Sequence, residues 1–89
     1  MAWRIELSPE AEKELEDLDP QAAKRVLIFL RDRLGKSENP KRLGAALKGS
    51  RFKNLWKYRV GDYRLICKIE EEESKILVLR VGHRKEIYR

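Results

Sequence analysis

The sequence predicts an α+β domain in which an N-terminal strand, two antiparallel helices and a three-stranded antiparallel meander form one sheet with the helices on one face. Apolar and polar residues alternate near both ends of the chain, as in half-buried strands. Two cap-and-proline signals, Ser8-Pro9 and Asp19-Pro20, open successive helical patterns. A favoured hairpin pair, Gly61-Asp62, joins two alternating runs.

Taken in order, Trp3, Ile5 and Leu7 alternate with Arg4 and Glu6 as a first strand. Ser8 caps a helix that carries Pro9 at its first position, acids at Glu10 and Glu12, and an apolar face of Ala11, Leu15 and Leu18. Asp19-Pro20 ends it and starts a second helix whose stripe is Ala23, Val26, Leu27, Leu30 and Leu34, terminated by Gly35 and Asn39-Pro40. Ile28 and Phe29 fall outside that stripe, either wrapped by the first helix and strand or left for a partner. The basic stretch from Lys41 to Arg51 reads mostly as loop, with room for one helical turn. Lys53 to Ile69 is the hairpin, Glu70 to Ser74 an acidic turn, and Lys75 to Gly82 the last strand.

The Gly61-Asp62 turn fixes the hairpin register. Val60 then faces Tyr63, Tyr58 faces Leu65 and Trp56 faces Cys67 on an apolar side. On the other side Arg59 meets Arg64, Lys57 meets Ile66 and Leu55 meets Lys68. Two arginines across a ladder repel; either they splay into water or an anion sits between them. For the last strand, placing Leu77, Leu79 and Val81 on the apolar side sets Arg80 beside Ile66 and Gly82 opposite Arg64. Lys57, Arg59, Arg64, Arg80 and Arg84 then converge on one face, a patch suited to phosphate.

Composition limits the function classes. The 89 residues suffice for one domain, residues 1–89, with a modest core. A single cysteine, Cys67, excludes an internal disulfide and fits a reducing cytoplasm. No membrane-length apolar run and no signal-peptide pattern is present. His83 and Cys67 alone make no ligand set, so neither metal nor cofactor is expected. Residues 1–39 hold seven Lys/Arg against nine Asp/Glu, while residues 40–89 hold fourteen against six, so the net +6 sits in the second half and points to a polyanion.

Val60-Gly61-Asp62-Tyr63-Arg64, followed some twenty residues on by Val81-Gly82-His83-Arg84-Lys85-Glu86-Ile87-Tyr88, resembles the RelE/ParE superfamily of bacterial and archaeal toxins, as does the order of elements. Leu47-Lys48-Gly49 before the hairpin is similar as well. The resemblance implies a ribosome-dependent mRNA endonuclease of a type II toxin-antitoxin system, acting on the 70S ribosome and inhibited by a RelB-like antitoxin, with an antitoxin complex that binds operator DNA. It implies cleavage without metal, by the RNA's own 2′-hydroxyl, leaving a 2′,3′-cyclic phosphate and a 5′-hydroxyl. Carried over, Lys57 matches the lysine proposed to activate the 2′-hydroxyl, Arg64 the arginine on the scissile phosphate, Arg84 the arginine at the leaving oxygen and Tyr88 a base-stacking tyrosine. Lys48, Arg51, Lys53, Arg59, Lys68, Arg80 and Lys85 are the expected RNA and ribosome contacts, and Ile28 and Phe29 the expected antitoxin contacts.

The residue types suit this chemistry. Charge builds on phosphoryl oxygens during in-line attack, and fixed cations stabilise it; arginine grips phosphate through two bonds. A lysine base is harder, with a reference pKa of roughly 10.4, but neighbouring cations disfavour an ammonium's charged form. Arginine donates protons poorly, so Arg84 is read as electrostatic, and His83 stands open as proton donor or as a residue behind the site. Where family members often carry Lys-x-Lys in the first hairpin strand, this chain has Leu55, with Lys53 the nearest substitute. A DNA-gyrase inhibitor of the same fold and a non-catalytic RNA-binding module are the alternatives.

Overall fold

The computed structural model describes residues 3–47 and 54–83. Five strands form one sheet in the order β1-β5-β4-β3-β2, with β1 Arg4–Leu7, β2 Ala45–Ala46, β3 Leu55–Val60, β4 Tyr63–Glu70 and β5 Lys75–His83. Helix α1 (Pro9–Asp17) and helix α2 (Pro20–Ile28) follow β1, and α2 continues as a π-helical segment, Phe29–Leu34. The expected α+β layout is present, with one more strand than expected. Two-residue β2 lies in the stretch read as loop, and a 3₁₀ turn, Pro40–Leu43, precedes it.

Both helices start as the sequence directs. The Ser8 hydroxyl accepts the Ala11 N–H at 3.0 Å, and Asp19 Oδ1 accepts the Gln21 and Ala22 N–H groups. Their inner faces, Ala11, Leu15, Val26, Leu30 and Leu34, share one core with Tyr58, Leu65, Cys67, Ile69, Ile76, Val78 and Val81 from the sheet. The α2 stripe is rotated from the expected one, because Ala22 is buried rather than Ala23 and Leu27 is 48% exposed. Beyond Ile28 the π-helical turn, closed by the Gly35 N–H on the Leu30 carbonyl at 2.8 Å, keeps Leu30 and Leu34 inward.

The hairpin register is as expected, from Val60 with Tyr63 to Leu55 with Lys68. Gly61 takes a φ of 60°, while Asp62 stays out of the positive region, as a type II′ turn requires. The last strand departs from expectation. Gly82, Val81 and Arg80 oppose Arg64, Leu65 and Ile66 as read from the sequence, but Val78 rather than Leu79 then faces Cys67. Leu79 is the extra residue of a β-bulge, so Ile76 and Val78 are the buried pair in the first half of β5, and Leu77 and Leu79 are not. The bulge could not be read from alternation, because Leu77, Leu79 and Val81 themselves alternate without a break.

Candidate functional site

The cationic side of the hairpin faces away from the helices. Lys57 and Arg59 are exposed on β3, and Arg64 is half-buried on β4 directly opposite Arg59. Both guanidinium groups lean toward the turn: Arg59 Nε donates to the Gly61 carbonyl at 3.4 Å and Arg64 Nη1 to the Tyr63 carbonyl at 3.2 Å. Among the described residues, Lys57, Arg59 and Arg64 make no ion pair. Three cations without an ion-paired carboxylate among the described residues are an arrangement suited to an anion.

The carboxylates of the sheet collect at the opposite end. Lys75 Nζ lies 3.0 Å from Glu70, 3.2 Å from Glu73 and 3.6 Å from Glu6. Hydrogen bonding with Lys75 lowers the Glu70 pKa and, with Glu73 added, raises that of Lys75. Lys68 sits 3.8 Å from Glu70, so this expected RNA contact is drawn to the acidic end rather than to the arginines. A cleft of about 680 Å³ at that end is lined by Lys41, Trp56, Lys68 and the Glu70–Glu73 turn, and four carboxylates make it a poor seat for phosphate.

Arg80 corrects the expected cluster. It does not stand open beside Ile66; its guanidinium reaches α1, where Nε and Nη2 each lie 3.0 Å from a Glu14 oxygen. The hydrogen bond to Glu14 is the main cause of a raised Arg80 pKa. A carboxylate held in two bonds cancels the charge that the phosphate patch was to use. Glu14 was not singled out from the sequence. Its place one turn beyond Ala11 and beside buried Leu15 is the signal that it borders the sheet.

His83 lies opposite Tyr63, with the rings edge-on and their centroids 6.0 Å apart. That pair projects to the other side of the sheet from Gly82 and Arg64, which removes His83 from the face of the three cations. Phe29 is partly covered: its ring packs on Tyr58 at 6.0 Å with the Arg33 guanidinium over it, while Ile28 of the expected antitoxin pair is 40% exposed and Leu27 beside it 48%. Lys48, Arg51, Lys53, Arg84, Lys85 and Tyr88 lie outside the described residues.

The family model described as "ParE toxin of type II toxin-antitoxin system, parDE" matches residues 5–88. The chain belongs to the RelE/ParE family of type II toxins. Toxin RelG of Mycobacterium tuberculosis is 32% identical over 89 residues, covering all of this chain and 99% of its own. Among solved structures, the toxin-antitoxin complex RelBE2 of M. tuberculosis contains a chain that is 27% identical, with a TM-score of 0.85 over 94% of this toxin and all of that chain. The archaeal RelE-RelB complex of Pyrococcus horikoshii OT3 gives 26% identity and a TM-score of 0.75, covering 97% of this toxin and 99% of the matched chain.

Proposed function

We propose that this toxin is a metal-independent endoribonuclease that cuts mRNA on the translating ribosome. The observation that carries the reading is the set of Lys57, Arg59 and Arg64, with two arginines facing each other and, among the described residues, no carboxylate paired to any of them. Like charges facing across a ladder destabilise it, and a bound anion would relieve that repulsion. In the proposed step a base removes the proton of the 2′-hydroxyl, O2′ attacks the adjacent phosphorus, and the bond from phosphorus to O5′ breaks. The products are a 2′,3′-cyclic phosphate and a 5′-hydroxyl, whose oxygen takes up a proton. Lys57 is the proposed base, Arg64 holds the non-bridging oxygens as they gain charge, Arg84 stabilises the leaving oxygen and Tyr88 stacks on a base. Arg59 steers the backbone into place.

The proposed partner is a RelB-like antitoxin, and the toxin-antitoxin pair is proposed to bind operator DNA. A cleft of about 420 Å³ lined by Trp3, Ile5, Leu7, Leu30 and exposed Leu27, with Arg31 and Lys36 also on its wall, suits an apolar antitoxin segment. A second reading, inhibition of DNA gyrase, is favoured by the match to the ParE model. One pair of assays separates the two. Purified toxin added to ribosomes programmed with a defined mRNA is expected to cut within codons at the decoding site. Gyrase-dependent double-strand breaks without mRNA cleavage would replace the nuclease with the gyrase reading.

A further inference from the structure

The direction in which β5 delivers its last residues depends on the bulge, and the bulge is held from outside the strand. If β5 ran without interruption from buried Ile76 and Val78, strand alternation would turn Arg80 and Gly82 inward and Val81 outward. The extra residue, Leu79, reverses the phase, so Val81 is 1% exposed and Gly82 lies opposite Arg64 on the cationic face. Pairing with β1 ends at Val78, so from there on β5 has no strand on that side, and α1 takes the place of one.

Two residues of the α1 region grip the bulge. The Ser8 N–H donates to the Val78 carbonyl at 2.9 Å, and its hydroxyl donates to the Leu79 carbonyl at 3.0 Å. Six residues on, Glu14 Oε1 accepts the Val81 backbone N–H at 3.0 Å while the same carboxylate holds Arg80. Among the contacts to the β5 backbone, the one to Val81 lies past the bulge, next to the residue that faces Arg64. A bulge re-aims the chain that follows it, and the group that pins the far side fixes how far.

We infer that Glu14 is a positioning residue of the nuclease: its bond to the Val81 N–H fixes the phase of β5 beyond the bulge and so the placement of that strand's end against Arg64. The inference rests on the nuclease reading. It assigns the effect to the backbone acceptor, not to the negative charge on Arg80, and two isolated changes separate these. Glu14→Gln keeps an oxygen at the same reach and removes the charge. Glu14→Asp keeps the charge and withdraws the acceptor by one methylene.

The test is single-turnover cleavage on programmed ribosomes, with ribosome affinity and amide exchange at Val81 measured on the same proteins. Glu14→Gln is expected within about threefold of wild type in all three. Glu14→Asp and Glu14→Ala are expected to lose at least tenfold in cleavage rate and to gain at least tenfold in Val81 exchange, with ribosome affinity moved less than threefold and exchange in β3 unchanged. Cleavage at the wild-type rate by both variants overturns the inference. So does the reverse order, with Asp active and Gln inactive, which would assign the effect to charge. A general rise in exchange across β3 with the lost rate would reduce Glu14 to a stabilising contact. A wild-type toxin that leaves mRNA intact refutes the nuclease reading itself, a result distinct from all of these.

Discussion

Tyr58 ties the cationic strand to the segment before it, and removing one atom measures the tie. Its side chain is 1% exposed, between the neighbours Lys57 and Arg59, and its hydroxyl donates to the buried Pro40 carbonyl at 2.9 Å. Tyr58→Phe keeps the ring in the core and leaves that carbonyl without its partner. An unsatisfied buried acceptor costs about 1–3 kcal/mol, and about 1.5 kcal/mol is a fair centre for a neutral pair. At roughly 2.1 cal/mol/K per residue, unfolding 89 residues carries an entropy near 0.19 kcal/mol/K. The expected fall in Tm is then about 8 °C. Urea unfolding should give the same free energy with an unchanged m-value. Growth arrest should survive, because no cation of the outer face is touched. A Tm within about 2 °C of wild type would refute the reasoning, and would mean that the Pro40 carbonyl finds water once the hydroxyl is gone.

Arg64→Ala should abolish growth arrest and lower cleavage by about 10²–10³-fold, the scale for losing one donor at a developing oxyanion. Its Tm should move little, since relief of about 0.2–1 kcal/mol of repulsion from Arg59 offsets the lost contact to Tyr63. Gly44→Ala should cost about 1–3 kcal/mol in urea unfolding, because a Cβ there would meet the Lys57 carbonyl and stand 2.7 Å and 2.8 Å from the Tyr58 ring. Burial pushes the Cys67 thiol and the Tyr58 hydroxyl up in pKa, so the fold favours their neutral forms. Their contribution is therefore whole below the unfolded values of roughly 8.5 and 10 and lost as pH rises past them, and Tm should fall steadily above about pH 9. The same burial should make Cys67 react with a thiol reagent at pH 8 at least a hundredfold slower in the native toxin than in urea.

The hairpin was legible because a two-residue turn leaves a single register, and every pair from Leu55–Lys68 to Val60–Tyr63 follows from Gly61-Asp62. The helix starts were legible because Ser8-Pro9 and Asp19-Pro20 act on their own next few residues. What the sequence withheld depends on contacts between distant parts. The phase change at Leu79 is held by Ser8 and Glu14, some 70 residues away, and no local pattern announces it. The same contact takes Arg80 out of the phosphate patch. Two-residue β2 forms because Ala45 and Ala46 find Lys57 and Trp56 to pair with, which composition alone does not reveal. The rotation of the α2 stripe shows at Ala22 and Leu27, before the π-helical segment, and no local pattern announces it.

The parallel pairing of β1 with β5 also bears on when the toxin comes into being. Arg4 to Leu7 have one strand neighbour, Lys75 to Val78, so the first strand made waits for almost the last. Contacts of such long sequence separation are slow to form, because loop closure precedes any gain. β4, the middle strand, likewise stays an edge until β5 pairs with it. A chain without β5 therefore has its hairpin but leaves β1 unpaired.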